Sequence, residues 1–123
     1  MNKELFEKGL AIRKEIAGEK VVDDLMRNTD EFSMPMQELL TEFCWGSVWS
    51  RPDLDRKSRS ILNIGMMAAM NRTEELAAHI RIAISNGVTK AEVRECLLQA
   101  AVYVGMPAGL GCFKVARKVF DGA

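Results

Sequence analysis

The sequence predicts an all-α protein of six or seven helices, and three observations support this fold class. Apolar residues recur at the spacing of amphipathic helices along most of the chain. No segment alternates β-branched and polar residues as a half-buried strand would. The one Asn-Gly pair, Asn86-Gly87, follows a helical pattern and does not join two strand-like runs. The chain has 123 residues, and we expect a single domain spanning residues 1–123 with its own core.

The helix boundaries are predicted from capping and helix-breaking residues. In order, the predicted helices with their caps span about residues 2–17, 21–26, 33–45, 55–71, 73–86, 89–104 and 107–120. N-caps are predicted at Ser33, Asp55, Thr73 and Thr89. Thr89 has Glu92 three residues later, which completes a capping-box pattern. Gly46 breaks the third helical pattern, so residues 45–52 are expected to form a helix end and a connecting loop.

The fourth helix is expected to lie at the centre of the fold. After Ser60 it is apolar on nearly every side, which is typical of a fully packed helix. Short turns between the last four helices favour antiparallel neighbours and a compact bundle. Several helices are rich in Ala, Gly and Met, which suit close packing and subunit contacts. These apolar faces exceed what one small bundle can cover, so we expect a homo-oligomer.

The charge balance and the cysteines limit the partners and the compartment. Seventeen basic and seventeen acidic residues give a formal net charge of zero, which argues against nucleic acid or an anionic membrane as a partner. No apolar run is long enough to span a membrane, and the first residues do not form a targeting signal. Three scattered cysteines form neither a CxxC pair nor a zinc site, and they suit a reducing cytoplasm.

The pair Glu75 and His79 is the first candidate for chemistry. His79 is the only histidine, and Glu75 stands one helical turn before it on the same face. If Glu75 accepts a hydrogen bond from the imidazole, it fixes the tautomer and raises the basicity of the other nitrogen. Two alternatives remain open: a surface ion pair, or a histidine that packs in a core or an interface.

The segment around the two tryptophans is the second candidate. Trp45 and Trp49 are four residues apart, and Arg51 follows them. Two flat aromatic walls and a guanidinium suit a cyclic or planar anion, because the Arg fork matches a carboxylate. The alternative is that both tryptophans anchor the core and that Arg51 is a solvated loop charge.

Arg59 and Tyr103 are further candidates for ligand contacts. Arg59 stands in a basic cluster at the start of a helix, where cations oppose the helix dipole, so a bound carboxylate would explain it as well as a solvated face would. Tyr103 lies at a helix end and either donates a hydrogen bond to a substrate or closes the core. A single histidine and carboxylates without ligand spacing predict no metal site.

Together these residues resemble the carboxymuconolactone decarboxylase family. The matching motifs are Gly9-Leu10-x-x-Arg13, Trp45-Gly46-x-x-Trp49-x-Arg51-Pro52-x-Leu54, Arg59-Ser60, Glu75-Leu76-x-x-His79, Ala83-x-x-Asn86-Gly87-Val88-Thr89-x-x-Glu92 and Tyr103-x-Gly105-x-Pro107. The resemblance covers about residues 9–120. Its tryptophan motif is most similar to the γ-carboxymuconolactone decarboxylase branch.

The resemblance implies an alkyl-hydroperoxidase-D-like bundle assembled as a ring of three or six subunits. The peroxidase relatives in that superfamily carry a CxxC before their histidine. Here the corresponding positions hold Arg72 and Glu75, so dithiol peroxidase chemistry is disfavoured. The implied reaction is decarboxylation of 4-carboxymuconolactone to the β-ketoadipate enol-lactone in aromatic catabolism. No cofactor is implied, because the conjugated lactone accepts the electrons of the broken bond.

The resemblance also leads to a hypothesis for each site residue. His79 donates the proton and Glu75 tunes it, Arg51 and Arg59 bind the carboxylates of a small anionic lactone, Trp45 and Trp49 wall the pocket, and Tyr103 is an oxyanion donor. These roles require the segment 45–51 to lie beside His79. Two alternatives are a family member that acts on a different lactone or keto acid, and a non-catalytic oligomeric scaffold or ligand-binding protein.

Overall fold

The computed structural model describes residues 1–122, and its regular structure is entirely helical. The helices are α1 (Lys3–Ala17), α2 (Glu19–Arg27), α3 (Met34–Leu39, continued by a π-helical segment Leu40–Val48), α4 (Arg56–Ala69), α5 (Thr73–Ser85), α6 (Lys90–Tyr103) and α7 (Met106–Phe120). The prediction of an all-α fold with six or seven helices is confirmed, and the described residues form seven. The chain divides into unit 1, Met1–Asp55, and unit 2, Arg56–Ala123.

Unit 1 is built on the packing of α1 against the π-helical part of α3. Two glycines permit this close approach. A Cβ on Gly9 would overlap the carbonyl oxygen of Thr41, and one on Gly46 would lie 2.6 Å from the carbonyl oxygen of Leu5. Any larger residue at either position would therefore push the two helices apart.

The predicted helix end at Gly46 is wrong. The helix continues to Val48, and the amide of Trp49 donates to the carbonyl oxygen of Cys44 at 2.9 Å, the five-residue step of a π-helix. The physical reason is that Gly46 serves the contact with α1, so its small size is a packing requirement and not a break. Only residues 49–55 connect this helix to α4.

The interior of unit 1 contains polar as well as apolar side chains. Ile12, Ile16 and Val22 are buried, and so is Arg13, which is only 8% exposed. Its Nη1 donates to Gln37 Oε1 at 2.9 Å and to Thr41 Oγ1 at 3.4 Å. Burial lowers the pKa of Arg13 from its usual value, because a charged guanidinium loses hydration there.

Unit 2 contains helices α4 to α7 around an apolar core. The helices α4 and α5 are antiparallel neighbours, α4 also packs on α6, and α7 packs on α5 and α6. The buried core residues are Ile64, Ala68, Leu76, Ile80, Ala83, Val88, Val93, Leu97, Ala100, Cys112 and Ala116. At one end of the α4/α5 pair, Asn86 Nδ2 donates to the buried hydroxyl of Ser60 at 3.0 Å.

The predicted caps have different outcomes. Thr89 and Glu92 form the predicted capping box at the start of α6. Thr73 is not an N-cap, because α5 begins with it and the cap position belongs to Arg72. Ser33 occupies the N-cap position of α3, but its hydroxyl donates to Asp30 Oδ1 and does not cap the helix.

The prediction that α4 is packed on all sides is wrong for the single chain. Ser60, Ile64 and Ala68 form one buried face. On its other side, apolar residues are exposed, with Leu62 at 54% and Met66 at 41%. Among the described residues, no helix is long and apolar enough to cross a membrane.

Candidate active site

Helix α5 places Glu75 and His79 on neighbouring turns. Its buried face carries Leu76, Ile80 and Ala83, which lock the helix into the core of unit 2. Glu75 and His79 lie beside this face, and both are partly buried. The predicted one-turn spacing is therefore present in the folded chain.

The carboxylate of Glu75 is engaged by Arg72 and not by His79. Arg72 Nη2 donates to Glu75 Oε1 at 2.7 Å, three residues along the chain. This hydrogen bond is the main cause that lowers the pKa of Glu75, and the charge of His79 adds a small effect. The hydrogen bond predicted between Glu75 and His79 does not form in the described part of the chain. The interaction that remains between the two side chains is electrostatic.

The imidazole of His79 has a buried nitrogen that lacks a partner. Within residues 1–122, its Nδ1 is the buried side-chain polar atom without a hydrogen bond. Burial lowers the pKa of His79, and the opposing effect of Glu75 is smaller. Glu75 thus raises the basicity of His79 as expected, but it acts through its charge and not through a hydrogen bond, and burial outweighs it, so the neutral imidazole is favoured. An unsatisfied buried nitrogen costs free energy that a bound ligand can recover.

Trp45 and Trp49 lie in the interior of unit 1. They are 5% and 6% exposed, and their rings stack with centroids 5.1 Å apart and planes inclined by 25°. This agrees with their interpretation as core anchors. Arg51 is exposed just after the π-helical segment. The predicted approach of segment 45–51 to His79 joins residues of two units, and it stays a prediction.

Arg59 and Tyr103 lie in unit 2, Arg59 in the first turn of α4 and Tyr103 at the end of α6. Arg59 is two residues from Lys57, whose ammonium pairs with Glu92 in the first turn of α6 at 3.1 Å. Tyr103 is the last residue of α6 and is 80% exposed. The alternative that Tyr103 closes the core is therefore wrong. Its hydroxyl is accessible to a ligand or to another subunit.

Three cavities in residues 1–122 are lined by none of the predicted site residues. One of about 420 Å³ lies between α6 and α7. The other two are a groove between α5 and α7 and a groove beside α3. No group of three His, Cys, Asp or Glu side chains within residues 1–122 is arranged to hold a metal ion.

Two arginines matter to these sites although the sequence assigned them no role. Arg72 makes the hydrogen bond to Glu75 that was predicted for His79. Its position three residues before Glu75 on the same helix face could have indicated this contact. Arg13 is buried beside neutral partners in unit 1. Its place in the Gly9-Leu10-x-x-Arg13 motif pointed to it, and helical spacing also places it on the buried stripe of α1 with Gly9 and Ile16.

Comparison with known proteins places the chain among decarboxylases. Residues 35–118 match the model of the carboxymuconolactone decarboxylase family. The chain is 43% identical to nitrosuccinic acid decarboxylase of Metarhizium robertsii over 121 residues, which are 98% of this chain and 85% of that protein. It is 39% identical to 4-carboxymuconolactone decarboxylase of Acinetobacter baylyi over 115 residues, 94% of this chain and 86% of that protein. An uncharacterized 15.0 kDa protein of Paracoccus denitrificans is 30% identical over 66% of this chain and 62% of its own length.

Proposed function

The chain belongs to the carboxymuconolactone decarboxylase family and is a carboxy-lyase, and we propose that its substrate is 4-carboxymuconolactone or a related carboxylated lactone. The observation that carries the proposal is His79, whose buried Nδ1 lacks a hydrogen-bond partner in residues 1–122. A site for decarboxylation needs a proton donor in a poorly hydrated place. The imidazole on α5 is the side chain that fits this need.

The proposed reaction needs no cofactor, because the substrate stabilises its own carbanion. The bond between the ring carbon and the carboxylate breaks, CO2 leaves, and the electron pair spreads through the conjugated double bond to the lactone carbonyl. A proton then adds to carbon and gives the enol-lactone. A group that holds the developing oxyanion and a group that delivers the proton are the protein's main contributions.

We assign the proton delivery to His79. In the free protein the lowered pKa of His79 keeps the ring neutral. A substrate carboxylate beside the ring favours the imidazolium, because an opposite charge nearby raises the pKa of a histidine. The proton donor thus forms where the anionic substrate binds, and the ring recovers its proton from solvent after each turnover.

The other roles in the proposal follow the chemistry of the side chains. Arg51 and Arg59 bind the carboxylates, and Tyr103 donates to the oxyanion. Trp45 and Trp49 support the wall of the pocket from the core of unit 1 and help to exclude water. The exposure of Tyr103 supports its availability to a substrate.

The test is turnover of freshly prepared 4-carboxymuconolactone, followed by its absorbance and by CO2 release. Replacement of His79 by Ala should lower kcat by about 10²–10⁴-fold, the range of general acid–base catalysis, with the thermal transition nearly unchanged. His79→Gln is the matched control for size, and it should lose a similar factor because the amide does not titrate. Wild-type turnover by either variant would contradict the assignment.

Nitrosuccinic acid is a second candidate substrate, and the identity of 43% over 98% of the chain favours testing it. Loss of CO2 from the carbon that bears the nitro group leaves a nitronate, so this substrate also accepts its own electrons. It carries two carboxylates, which the same arginines would bind. Assays of both acids with one CO2 readout decide between them by the ratio of their kcat/KM values.

We also propose that the active protein is a homo-oligomer, a trimer or a hexamer. The apolar side of α4 supports this, because Leu62, Met66 and Met70 are exposed in the single chain at 54%, 41% and 57%. Light scattering at micromolar concentration should give three or six times the chain mass. Met66→Glu should shift the distribution towards smaller species, whereas a monomer at all concentrations would contradict the proposal.

A further inference from the structure

A cavity of unit 2 lies away from the candidate active-site residues. It has a volume of about 420 Å³ and opens between the first half of α6 and the second half of α7. Its walls include Lys90, Arg94, Leu97, Phe113, Arg117 and Phe120. This volume is in the range of pockets that bind small organic molecules. The proposed function leaves the cavity unused.

The inner wall of the cavity is apolar. Val93 and Leu97 are fully buried beneath it, and the rings of Phe113 and Phe120 stand at its sides. The ammonium of Lys90 lies 5.3 Å from the centroid of the Phe120 ring, which is cation–π distance. One aromatic wall and one cation are thus held together at the mouth.

The rim of the cavity carries a surplus of positive charge. Lys90, Arg94 and Arg117 line it, and the carboxylate of Asp121 is the opposing charge. Arg94 Nε is also paired with Glu95 Oε2 at 3.2 Å, on the exposed surface. The side chain of Arg117 makes no hydrogen bond or ion pair within the described residues. Its guanidinium is therefore available to a carboxylate.

We propose that this cavity binds an organic acid that has an apolar body and one carboxylate. Arg117 and Lys90 hold the carboxylate, and the body packs between the two phenylalanine rings over Leu97. Three cations against one carboxylate at the rim attract an anion, and the wall behind them is apolar. The charge pattern therefore favours a small anion as the occupant.

The test uses 2-naphthoate as the probe and uncharged 2-naphthamide as its matched analogue, with the full-length protein. Titration calorimetry should show at least about tenfold weaker binding of the amide, the loss of one charge-assisted hydrogen bond. In a ¹H–¹⁵N spectrum, naphthoate should shift amides of residues 90–97 and 113–121. The imidazole signal of His79 should stay in place.

Variants on α7 separate the cavity from general surface charge. Arg117→Gln should weaken naphthoate binding about tenfold. Lys114→Gln removes the same charge from an exposed position on the same helix that does not line the cavity, and it should leave the affinity unchanged. Asp121→Asn removes the opposing charge and should tighten binding.

Three results would overturn the proposal. The first is equal affinity for naphthoate and naphthamide, and the second is an equal effect of Arg117→Gln and Lys114→Gln. The third is a naphthoate response confined to His79, which would place the acid in the proposed active site. Failure of naphthoate to bind would likewise overturn the proposal. So would dissociation of an oligomer by naphthoate in light scattering, because a second copy would then cover the cavity.

Discussion

The two units of the chain are stabilised by different kinds of contact. In unit 1, α1 and α3 touch at their backbones through Gly9 and Gly46, and Arg13 is buried among neutral hydrogen-bond partners. Unit 2 instead buries large aliphatic side chains such as Ile80 and Leu97, both 0% exposed. The α1/α3 contact of unit 1 should therefore be sensitive to added atoms, and the aliphatic core of unit 2 to removed atoms. Unit 2 has one comparable close contact, where a Cβ on Gly109 would lie 2.4 Å from Ala101 Cβ.

Gly9→Ala is the most direct test of this difference between the units. The added methyl would meet the carbonyl oxygen of Thr41, which belongs to a helix backbone and cannot turn aside. We expect the free energy of unfolding of unit 1 to fall by at least about 4 kcal/mol, because the two helices must separate. Both tryptophans lie in unit 1, so the urea midpoint of their fluorescence is the measurement.

The matched control is Gly65→Ala in the interior of α4. A Cβ there meets nothing within 4 Å, and alanine stabilises an unstrained helix by about 0.5–1 kcal/mol relative to glycine. The midpoint should therefore stay or rise slightly. If Gly9→Ala unfolds at the wild-type midpoint, close backbone packing is not what stabilises unit 1.

Leu97→Ala tests the opposite sensitivity in unit 2. It removes three of the four side-chain carbons from a fully buried position and should cost about 2–5 kcal/mol. The neighbouring Leu98 is 45% exposed, so Leu98→Ala should cost less than about 1 kcal/mol. Far-ultraviolet circular dichroism in urea measures both. Equal losses would show that the core of unit 2 is not the apolar cluster described above.

The helical boundaries and fold class were predictable because their signals are local. Thr89 and Glu92 meet within one turn, and Gly87 has a φ of 92° that favours glycine after a helix. The continuation of α3 through Gly46 was not predictable, because the reason for that glycine lies in α1, about forty residues earlier in the chain.

The hydrogen bonds and burial of the candidate site were likewise not predictable from sequence spacing alone. Helical spacing placed Glu75 within reach of both Arg72 and His79, and only the folded side chains show that Arg72 takes the hydrogen bond. Spacing also gave no measure of how deeply the His79 ring is buried. Burial outweighs the charge of Glu75, so the pKa of His79 is lowered overall although Glu75 raises it as predicted.

Thr89→Ala tests whether the capping box at the start of α6 contributes to the stability of unit 2. The Thr89 hydroxyl accepts from the amide of Glu92 at 3.1 Å, so its loss should cost about 1 kcal/mol. Thr73 starts α5 without capping it, and Thr73→Ala should change the stability by less than about 0.5 kcal/mol. The difference between the two urea midpoints is the measurement. Equal effects would show that Thr73 caps α5 in solution.

The smallest expected effect is a change in the pKa of His79, which burial lowers and the charge of Glu75 raises. An NMR titration of the only imidazole should give a pKa below the usual value of 6.5. Glu75→Gln should lower this pKa further, because the carboxylate is the group that raises it. Glu74→Gln removes an exposed charge next to it in the sequence and should leave the pKa of His79 unchanged.

The same pKa predicts how stability depends on pH. Because the folded pKa of His79 is lowered, the unfolded chain binds its proton first as the pH falls below about 6.5. Stability is therefore complete above that pH and decreases towards the folded pKa, and His79→Gln should lack this part of the decrease. A measured pKa of His79 above 6.5 would mean that the charge of Glu75 outweighs the effect of burial. His79 would then be a basic histidine tuned by Glu75.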